Sequence, residues 1–458
     1  MQAFHRVPQY VSDLIVRFLA LLTCLLAWMQ NADASTFAYS LGYRAEYSDN
    51  ISRVSEEAQR DVIYTLNGGF SYLQNTSIFK ARVAANVAYY DYYYQTFDPQ
   101  TNLRLDAYGE LFFVPQVLSW MAADGFRKVQ IDPRLPNVPT NQQNSNVFLT
   151  GPNVYLHLGP VDTVTLEARY GRAGLESFIV ENETFNIDSE RDFFATRWLH
   201  RLSTWSSLGL NYEFMDVDYE DSGPTGQNAD YQRHNYFLRT RIRSARNDYT
   251  ADVGKSRIEF EQGLPISNSF IRLAASRQIN SLSSLSLQYA REYSDTGAQL
   301  LPAEATSQPT PGGVLAPIGT DIVASELFYS EQTNVSYAWR GNTLPWSARL
   351  FSRNVDYLVT GEDREEVGSL IDVRYVYSNS LSFLAFSRYT ITSYTNPTRE
   401  DTDVITSVGL LYRLGRSLTA GLDLRRYVRI VNPTNPDQEY TDNRVGATIT
   451  YSYQPVIR

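Results

Sequence analysis

Three arginines at two-residue spacing, Arg239, Arg241 and Arg243, are the residues whose chemistry stands out first. Alternate residues of a β-strand point to the same side, so their guanidinium groups would lie about 7 Å apart along one face. A guanidinium fork binds a carboxylate through two hydrogen bonds and stacks on aromatic rings. The row would therefore suit an acidic or sugar-like solute, or it would pair with Asp and Glu on neighbouring strands. The sequence leaves both interpretations open.

Other segments also place charged residues on the face opposite to their apolar residues. Charged side chains are costly in lipid, so these residues are expected to face the interior of a barrel. The further arginines selected in this way as candidates for contact with a solute are Arg82, Arg104, Arg169, Arg349, Arg353, Arg374 and Arg388. The same parity holds for Lys80, Asp106, Glu110, Glu167, Asp372, Arg413, Asp423 and Arg444. The pattern predicts an interior of mixed charge.

No other group of residues in the sequence suggests catalysis. His157, His200 and His234 are scattered, and no nucleophile, zinc or phosphate-loop motif occurs. The acidic run from Asp216 to Asp221 resembles the opening of a calcium loop, but its sixth position is aspartate rather than glycine. A solvated acidic loop is the preferred interpretation of that run, with a loose calcium site as the alternative. The sequence therefore predicts a protein that is not an enzyme and holds no cofactor and no metal centre.

The composition favours a membrane barrel over a soluble enzyme. The 458 residues include 33 Tyr, 22 Phe and 6 Trp, with 20% charged residues and a mean hydropathy of −0.33. After the N-terminal segment, no stretch reaches the roughly 18 apolar residues of a membrane helix. A β-barrel reconciles these facts, because each strand is half lipid-facing and half water-facing. The net charge of −10, without a basic run, argues against a nucleic-acid partner.

The N-terminal residues 1–34 have the pattern of a secretory signal peptide. A basic leader precedes the apolar run from Phe18 to Trp28, which is too short to span a bilayer, and Ala32–Ala34 offers small residues for cleavage. The only cysteine, Cys24, lies inside this run, so the mature chain is expected to contain no disulfide. Residues 35–458 are then expected to form a single outer-membrane β-barrel domain.

The last strand, Arg444–Tyr453, shows the strand pattern most clearly. Its odd positions are apolar and end in two tyrosines, and its even positions are polar or small. The spacing resembles the signature of closing strands in outer-membrane barrels, which the barrel assembly machinery reads. The residues that carry this resemblance are Arg444, Gly446, Ile449 and Tyr451. Five residues, Gln454–Arg458, follow this strand, whereas such chains commonly end on the aromatic residue.

Similar segments recur from residue 37 onward, and about twenty can be counted. Their connections are alternately long and short, and the short ones lie near 74–77, 159–161, 244–248, 340–343, 378–380 and 414–417. The least regular segment, 117–130, precedes a Pro- and Asn-rich loop at 132–144. A soluble sandwich would need a second sheet to cover so many apolar faces. The sequence therefore predicts an all-β fold, a transmembrane antiparallel up-and-down β-barrel of about 18–20 strands with short periplasmic turns and long extracellular loops.

The stretch Tyr47-Ser48-Asp49-Asn50, directly after an aromatic first strand, points to a known family. Together with the tyrosine-rich run 89–94 and Glu110–Phe113, it resembles the outer-membrane β-barrel proteins associated with the PEP-CTERM/exosortase system. That family has Thr where this chain has Ser48. The resemblance covers most of the mature chain and supplies no catalytic residues. It implies a location in the outer membrane of a Gram-negative envelope.

Two functions stay open at this stage. The resemblance implies a pore or accessory protein for exopolysaccharide export or cell-envelope biogenesis. Its partners would be outer-membrane lipid, the barrel assembly machinery, an acidic polysaccharide and periplasmic export components. The alternative is a general diffusion porin for small nutrients. The longest connection, 295–320, would narrow the pore if it folded inward, and the sequence does not decide this point.

Overall fold

Long strands form throughout the chain because the alternating pattern lets one face meet lipid while the other faces the interior. The computed structural model describes residues 35–453, except 176–177, 181–182, 186–187, 221–229, 262, 296, 299–326, 359–360, 362 and 434–437. The predicted signal peptide and the five residues after the last strand lie outside the described residues. Most of the 295–320 connection lies outside them as well.

The strands are numbered in chain order. The first ten are β1 (Ser35–Ser48), β2 (Asp61–Asn75), β3 (Phe79–Tyr92), β4 (Gln100–Val114), β5 (Leu118–Gln130), β6 (Gln142–His157), β7 (Asp162–Leu175), β8 (Phe178–Val180), β9 (Glu183–Phe185) and β10 (Ser189–Arg201). The next six are β11 (Ser206–Tyr219), β12 (Tyr231–Arg243), β13 (Asn247–Phe260), β14 (Ile266–Gln278), β15 (Ser283–Asp295) and β16 (Leu327–Trp339). The last six are β17 (Trp346–Tyr357), β18 (Arg364–Val376), β19 (Leu381–Tyr394), β20 (Arg399–Arg413), β21 (Leu418–Asn432) and β22 (Tyr440–Tyr453). A short 3-10 turn, Pro139–Asn141, lies between β5 and β6.

Twenty of these strands form one antiparallel sheet that closes on itself, while β8 and β9 form a separate small hairpin. The long strands pair with their neighbours in sequence, with β7 pairing directly with β10. The ring closes where β1 pairs with β22, from Tyr39↔Tyr453 to Ser48↔Arg444. Closure gives each long strand a partner on both edges, which satisfies backbone groups that lipid cannot. The predicted up-and-down barrel of about 18–20 strands is confirmed.

The two ends of the barrel differ in their connections, as predicted. Turns such as 76–78, 244–246 and 415–417 lie at the end that also holds the start of β1 and the end of β22. We call this the short-turn end. Connections such as 49–60 and 131–141 lie at the opposite end, which we call the long-loop end. This asymmetry fits an outer-membrane barrel, whose short turns are periplasmic.

One predicted boundary was wrong. The loop expected at 132–144 is shorter, because β6 already begins at Gln142. Gln142 pairs with Gln130 at the end of β5, so the backbone ladder continues beyond the apolar pattern that marks lipid. The least regular predicted segment, 117–130, is an ordinary strand, Leu118–Gln130.

The outer face of the barrel is apolar and aromatic. Leu41, Leu210 and Leu422 are more than half exposed, as side chains that face hydrocarbon are. Near the short-turn end Tyr39 stacks on Tyr453 with ring centroids 5.2 Å apart, in the position of an interfacial aromatic girdle. Among the described residues, no helix is long and apolar enough to cross a membrane.

The interior is packed toward the long-loop end. Val217, Tyr231 and Ile258 lie on the inner faces of β11, β12 and β13 and are fully buried. They form one cluster with Leu327 and Tyr329 at the start of β16. A barrel of twenty strands is wide enough for a channel. The inward-facing side chains and connections therefore determine how wide the channel through this barrel is.

Candidate solute path through the barrel

Charged residues of the inner face form ion pairs across neighbouring strands. Arg239 of β12 binds Asp252 of β13 with Nη2–Oδ2 2.6 Å, and Arg429 of β21 binds Asp403 of β20 with Nε–Oδ1 2.8 Å. Arg197 of β10 binds Glu167 of β7 at 2.6 Å. The mixed-charge interior predicted from strand parity is therefore present. Pairing across strands, one of the two interpretations of the arginines, accounts for part of it.

The predicted row Arg239, Arg241 and Arg243 lies on the inner face of β12 and runs toward the short-turn end. Arg239 is held by Asp252, whose side chain is fully buried. Arg241 and Arg243 share one carboxylate, that of Asp248, at 3.2 and 2.8 Å. Their side chains are 45% and 64% exposed. Because one carboxylate serves two guanidinium groups, positive charge is left at this end of the row.

A cavity of about 520 Å³ at the short-turn end brings the row together with two more arginines. Arg197 and Arg201 lie on β10, which is two strands from the row, and they line the same cavity. Thr163 and Thr165 of β7 and Trp205 of the 202–205 turn also line it. Five guanidinium groups thus line one cavity on this part of the wall, with hydroxyl groups and an indole ring beside them. This combination suits a solute that carries both carboxylates and hydroxyl groups.

The sequence did not identify Arg197 and Arg201. On most strands the apolar residues occupy one parity, which assigns the other parity to the interior. On β10 the pairs Phe193-Phe194 and Trp198-Leu199 put apolar residues on both parities. The pairing of β10 with β7 resolves the ambiguity, since Phe194 lies opposite the outward-facing Ala168.

The other predicted arginines lie on inner faces around the whole ring rather than in one cluster. Arg169 is buried and donates to the carbonyl oxygen of Pro152 at 2.7 Å. Arg104 reaches Asp106 at 3.1 Å, and Arg374 donates to Ser382 Oγ at 3.2 Å. Arg388 lies 3.7 Å from Glu366. The remaining predicted positions are Arg353, which is buried on β17, and Arg82 and Arg349, which are more exposed on β3 and β17.

The closing strand β22 places its polar residues toward the interior and its apolar residues toward lipid, as its alternation predicted. Arg444 faces inward and binds Glu46 of β1 at 2.9 Å and Asp442 at 2.7 Å. Ile449 and Tyr451 face outward and are 44% and 42% exposed. Gly446 faces inward, where a Cβ atom would collide with the guanidinium group of Arg44.

Arg44 of β1 also contacts β21, the strand on the other side of the closing strand β22. Its guanidinium group passes over Gly446 to reach Asp423 of β21 at 2.6 Å, and it donates to Thr448 at 3.0 Å. A strand on each side of β22 is thereby connected through one side chain. The absence of a side chain at Gly446 makes this crossing possible.

The stretch Ser48-Asp49-Asn50 attaches the start of the 49–60 connection to the closing strand β22. The buried Ser48 hydroxyl donates to Asp442 at 2.6 Å, and Asn50 Nδ2 donates to the carbonyl oxygen of Thr441 at 3.0 Å. Asp49 accepts the backbone N–H of Asn443 at 2.7 Å. This stretch therefore holds the start of the 49–60 connection on β22.

The β5–β6 connection, 131–141, folds into the long-loop end of the barrel. Arg399 of β20 donates to the carbonyl oxygen of Arg134 at 2.7 Å, and Arg429 of β21 donates to that of Leu135 at 3.1 Å. Arg53, from the 49–60 connection, donates to that of Asn137 at 2.8 Å. Neither β20 nor β21 adjoins β5 or β6, so the connection reaches across the opening. A cavity of about 440 Å³ lies between it and the inner faces of β18 to β21.

A second closure comes from the ends of β15 and β16. Pairing between β14 and β15 stops at Ile271↔Arg291, whereas β15 and β16 stay paired as far as Asp295↔Leu327. The last residues of β15 thus separate from β14 and reach inner-face residues of more distant strands. Asp295 binds Arg191 of β10 at 2.8 Å and accepts the Tyr231 hydroxyl of β12.

The described residues contain no group of three or more His, Cys, Asp or Glu side chains that could hold a metal ion. Two histidines have polar partners: His200 Nδ1 lies 2.9 Å from Asp162, and His234 Nδ1 lies 3.0 Å from the Tyr212 hydroxyl. In the acidic run 216–221, Gln232 Nε2 donates to Asp216 at 3.3 Å. Asp221, the sixth position of the calcium-like run, lies outside the described residues.

No protein-family model matches the chain, and no curated protein matches it. Solved structures similar to it include a mutant of the ferric enterobactin receptor PfeA from Pseudomonas aeruginosa in complex with enterobactin. That likeness has 10% identity and a TM-score of 0.48, and it covers 92% of this chain and 82% of the receptor. A variant of the FrpB iron transporter from Neisseria meningitidis is similar at 10% identity and a TM-score of 0.45, with 92% and 82% covered. Likenesses at this level carry no function over to this chain.

Proposed function

We propose that the protein is an outer-membrane pore, or an accessory protein, for the export of an acidic exopolysaccharide. The closed barrel with its apolar outer face and aromatic end supports placement in an outer membrane, with the short-turn end toward the periplasm. Lipid and the barrel assembly machinery are then partners by necessity. An acidic polysaccharide and periplasmic export components are the partners that this function requires in addition.

The observation that carries the proposal is the arginine group at the short-turn end. Five arginines line the 520 Å³ cavity there, and the two most exposed members of the row share a single carboxylate. An acidic chain that arrives from the periplasm would meet this positive charge first. The five arginines are partly compensated by four carboxylates, those of Asp248, Asp252, Glu167 and Glu213. This compensation also matters, because a conduit must bind its solute weakly enough to release it.

Conductance in planar bilayers tests the proposal. The protein is inserted from one side, and its ion selectivity is read from the reversal potential in a salt gradient. We expect a preference for anions and a block by trigalacturonate added at the short-turn side. Replacing Arg239, Arg241 and Arg243 together with glutamine should reduce both effects while leaving the barrel folded.

The matched control replaces three outer-face arginines with glutamine, Arg172, Arg257 and Arg426. It removes the same charge from the protein without touching the interior, so selectivity and block should stay at wild-type values. A cation-selective pore that trigalacturonate does not affect would overturn the proposal. Heat-modifiable mobility on gels confirms that each variant is folded before it is measured.

A general diffusion porin is the second candidate, and one observation favours it. Each of the three arginines in the row has a carboxylate within 3.2 Å, so their main role would be to neutralise buried charge in the wall. Swelling of liposomes in maltotriose distinguishes the two functions. A porin would admit this neutral sugar freely, and the glutamine variants would leave its rate unchanged.

A further inference from the structure

The cavity beneath the 131–141 connection is separate from the arginine group at the short-turn end. Its floor and walls belong to inner faces near the long-loop end, and its roof is the connection itself. The residues that line it include Arg53, Arg388, Thr390, Tyr394, Tyr427 and Arg429. Its volume of about 440 Å³ falls within the range of sites for small ligands, about 300–1,000 Å³.

The lining combines the groups that recognise an acidic sugar. Arg388 has a side chain that is 34% exposed, and its Nε donates to Thr390 at 3.2 Å. The carboxylate of Glu366 lies 3.7 Å from Arg388 and lines the cavity as well. A ligand carboxylate that reached Arg388 would form a charge-assisted bond of normal length.

Aromatic rings supply the second element of such a site. The guanidinium group of Arg53 lies 4.3 Å from the Tyr427 ring centroid and 5.5 Å from that of Tyr440. Both rings line the cavity. Tyr440 is buried and Tyr427 is partly exposed, so Tyr427 is the ring that a sugar could contact. The phenol and threonine hydroxyl groups offer hydrogen-bond partners to the hydroxyl groups of a sugar.

We infer that this cavity binds one carboxylate-bearing sugar unit and that its occupation loosens the 131–141 connection above it. The inference rests on the proposed function, because it takes a unit of the same acidic chain as the ligand. Arg53 and Arg429 line the cavity and also donate to carbonyl oxygens of the connection. A carboxylate is the stronger acceptor, since charge-assisted hydrogen bonds are roughly twice as strong as neutral ones. Arg429 binds Asp403 through Nε and Nη2, and Arg53 binds Asp442 through Nε, so only the Nη1 atoms of the two arginines serve the connection. A bound acidic sugar would compete with the carbonyl oxygens for these Nη1 donors and would thereby weaken the hold on the connection.

Calorimetry of the detergent-folded barrel tests the binding step. Trigalacturonate is the acidic probe and maltotriose the neutral one. The wild type should bind the acidic probe and show no heat with the neutral one. Arg388→Gln should weaken binding about tenfold or more, as expected for the loss of one hydrogen bond to a charged group. The control Arg257→Gln removes an exposed outer-face arginine and should leave binding unchanged.

Trypsin tests the loosening step, because the connection contains a single arginine, Arg134, followed by Leu135. Trigalacturonate should speed cleavage after Arg134 severalfold, and Arg134→Gln should remove that cut and thereby identify it. Equal binding of both probes, unchanged affinity in Arg388→Gln, or cleavage that the ligand does not affect would each overturn the inference.

The two proposals fail separately. If trigalacturonate blocks the pore through the row at the short-turn end but gives no heat that depends on Arg388, the export proposal stands and this inference falls. If it binds through Arg388 but the inserted protein is cation-selective and is not blocked, the export proposal falls. The cavity then remains a binding site for an acidic sugar on the barrel.

Discussion

Arg191 and Asp295, 104 residues apart in the sequence, form an ion pair of 2.8 Å whose two side chains are 3% and 0% exposed. The Tyr231 hydroxyl donates to the same carboxylate. Three strands that are not neighbours of one another, β10, β12 and β15, thus meet at one carboxylate inside the barrel. This group holds the inward-leaning end of β15 in place.

We expect Asp295→Asn to destabilise the barrel by about 3–5 kcal/mol, because it leaves the Arg191 guanidinium buried without its counter-charge. Unfolding in urea from detergent micelles measures the change. Asp248→Asn is the control, since its arginine partners are exposed and such pairs contribute only about 0–1 kcal/mol. Replacing both partners with apolar residues, Arg191→Met with Asp295→Leu, should recover much of the loss. A double variant as unstable as Asp295→Asn would contradict this account.

At the closing seam, Gly446→Arg and Ile449→Arg should lower the amount of folded barrel in the membrane. The first forces Arg44 away from Asp423, and the second places a charge on the lipid face. That charge costs about 2–4 kcal/mol at the midplane and about 0–1 near the interface. The heat-modifiable band measures the folded fraction. Thr225→Arg, in the 221–229 connection, is the control, and equal folded amounts for all three would argue against the assigned seam.

Asp248→Asn should make the pore more selective for anions, in the direction opposite to the glutamine variants of the row. The carboxylate that Arg241 and Arg243 share would be gone, while both guanidinium groups remain at the short-turn end. The reversal potential in a salt gradient reports the shift. Asp91→Asn, on the outer face of β3, removes the same charge away from the interior and should leave selectivity unchanged. No shift in Asp248→Asn would mean that ions do not pass this group.

Arg399→Gln should loosen the 131–141 connection without any ligand. It removes a donor to the carbonyl oxygen of Arg134, and a hydrogen bond from a charged group contributes about 1.5–3 kcal/mol. Trypsin should then cut after Arg134 roughly tenfold faster, and the pore should open more often in bilayers. Arg399 does not line the cavity below the connection, so trigalacturonate should still bind. Cleavage at the wild-type rate would show that other contacts hold the connection.

The protein should be recovered from the outer-membrane fraction, and its gel mobility should change on boiling. Both follow from a closed barrel whose outer face is apolar, because such barrels resist dodecyl sulfate until heated. Recovery in the soluble periplasmic fraction with unchanged mobility would contradict the membrane barrel itself.

The long strands and their two faces could be predicted from the sequence because lipid imposes a period of two on each strand. The alternation of long and short connections gave their up-and-down order. The same constraint assigned Arg239, Arg241 and Arg243 to the interior. It could not give their partners, since the pairing of Arg239 with Asp252 depends on the register between β12 and β13. The parity rule also failed for Arg197 and Arg201, where apolar residues occupy both sides of β10.

Two segments fold into the barrel, the 131–141 connection and the end of β15. The sequence could not predict them for a different reason. The contact between Arg429 and Leu135 joins residues 294 positions apart, and nothing in the local pattern of either residue indicates the other. The sequence left open whether the longest connection, 295–320, folds inward and narrows the pore. Of the described connections, 131–141 is the one that reaches across the opening, held by arginines on strands far from its own.

The close fit of Arg44 over Gly446 also fixes how the ring of strands is joined. A shift of β22 by one residue against β1 would turn Arg444 toward lipid, and the apolar pattern alone forbids it. A shift by two residues keeps every face correct, so hydrophobicity cannot reject it. It would, however, move Gly446 out from under Arg44 and set Thr448 or Arg444 in its place. The shift that brings in Thr448 would also move Arg444 two residues farther from Glu46. Gly446 and its charged neighbours therefore favour a single register between β1 and β22, so the first and last strands of the chain can pair in only one alignment.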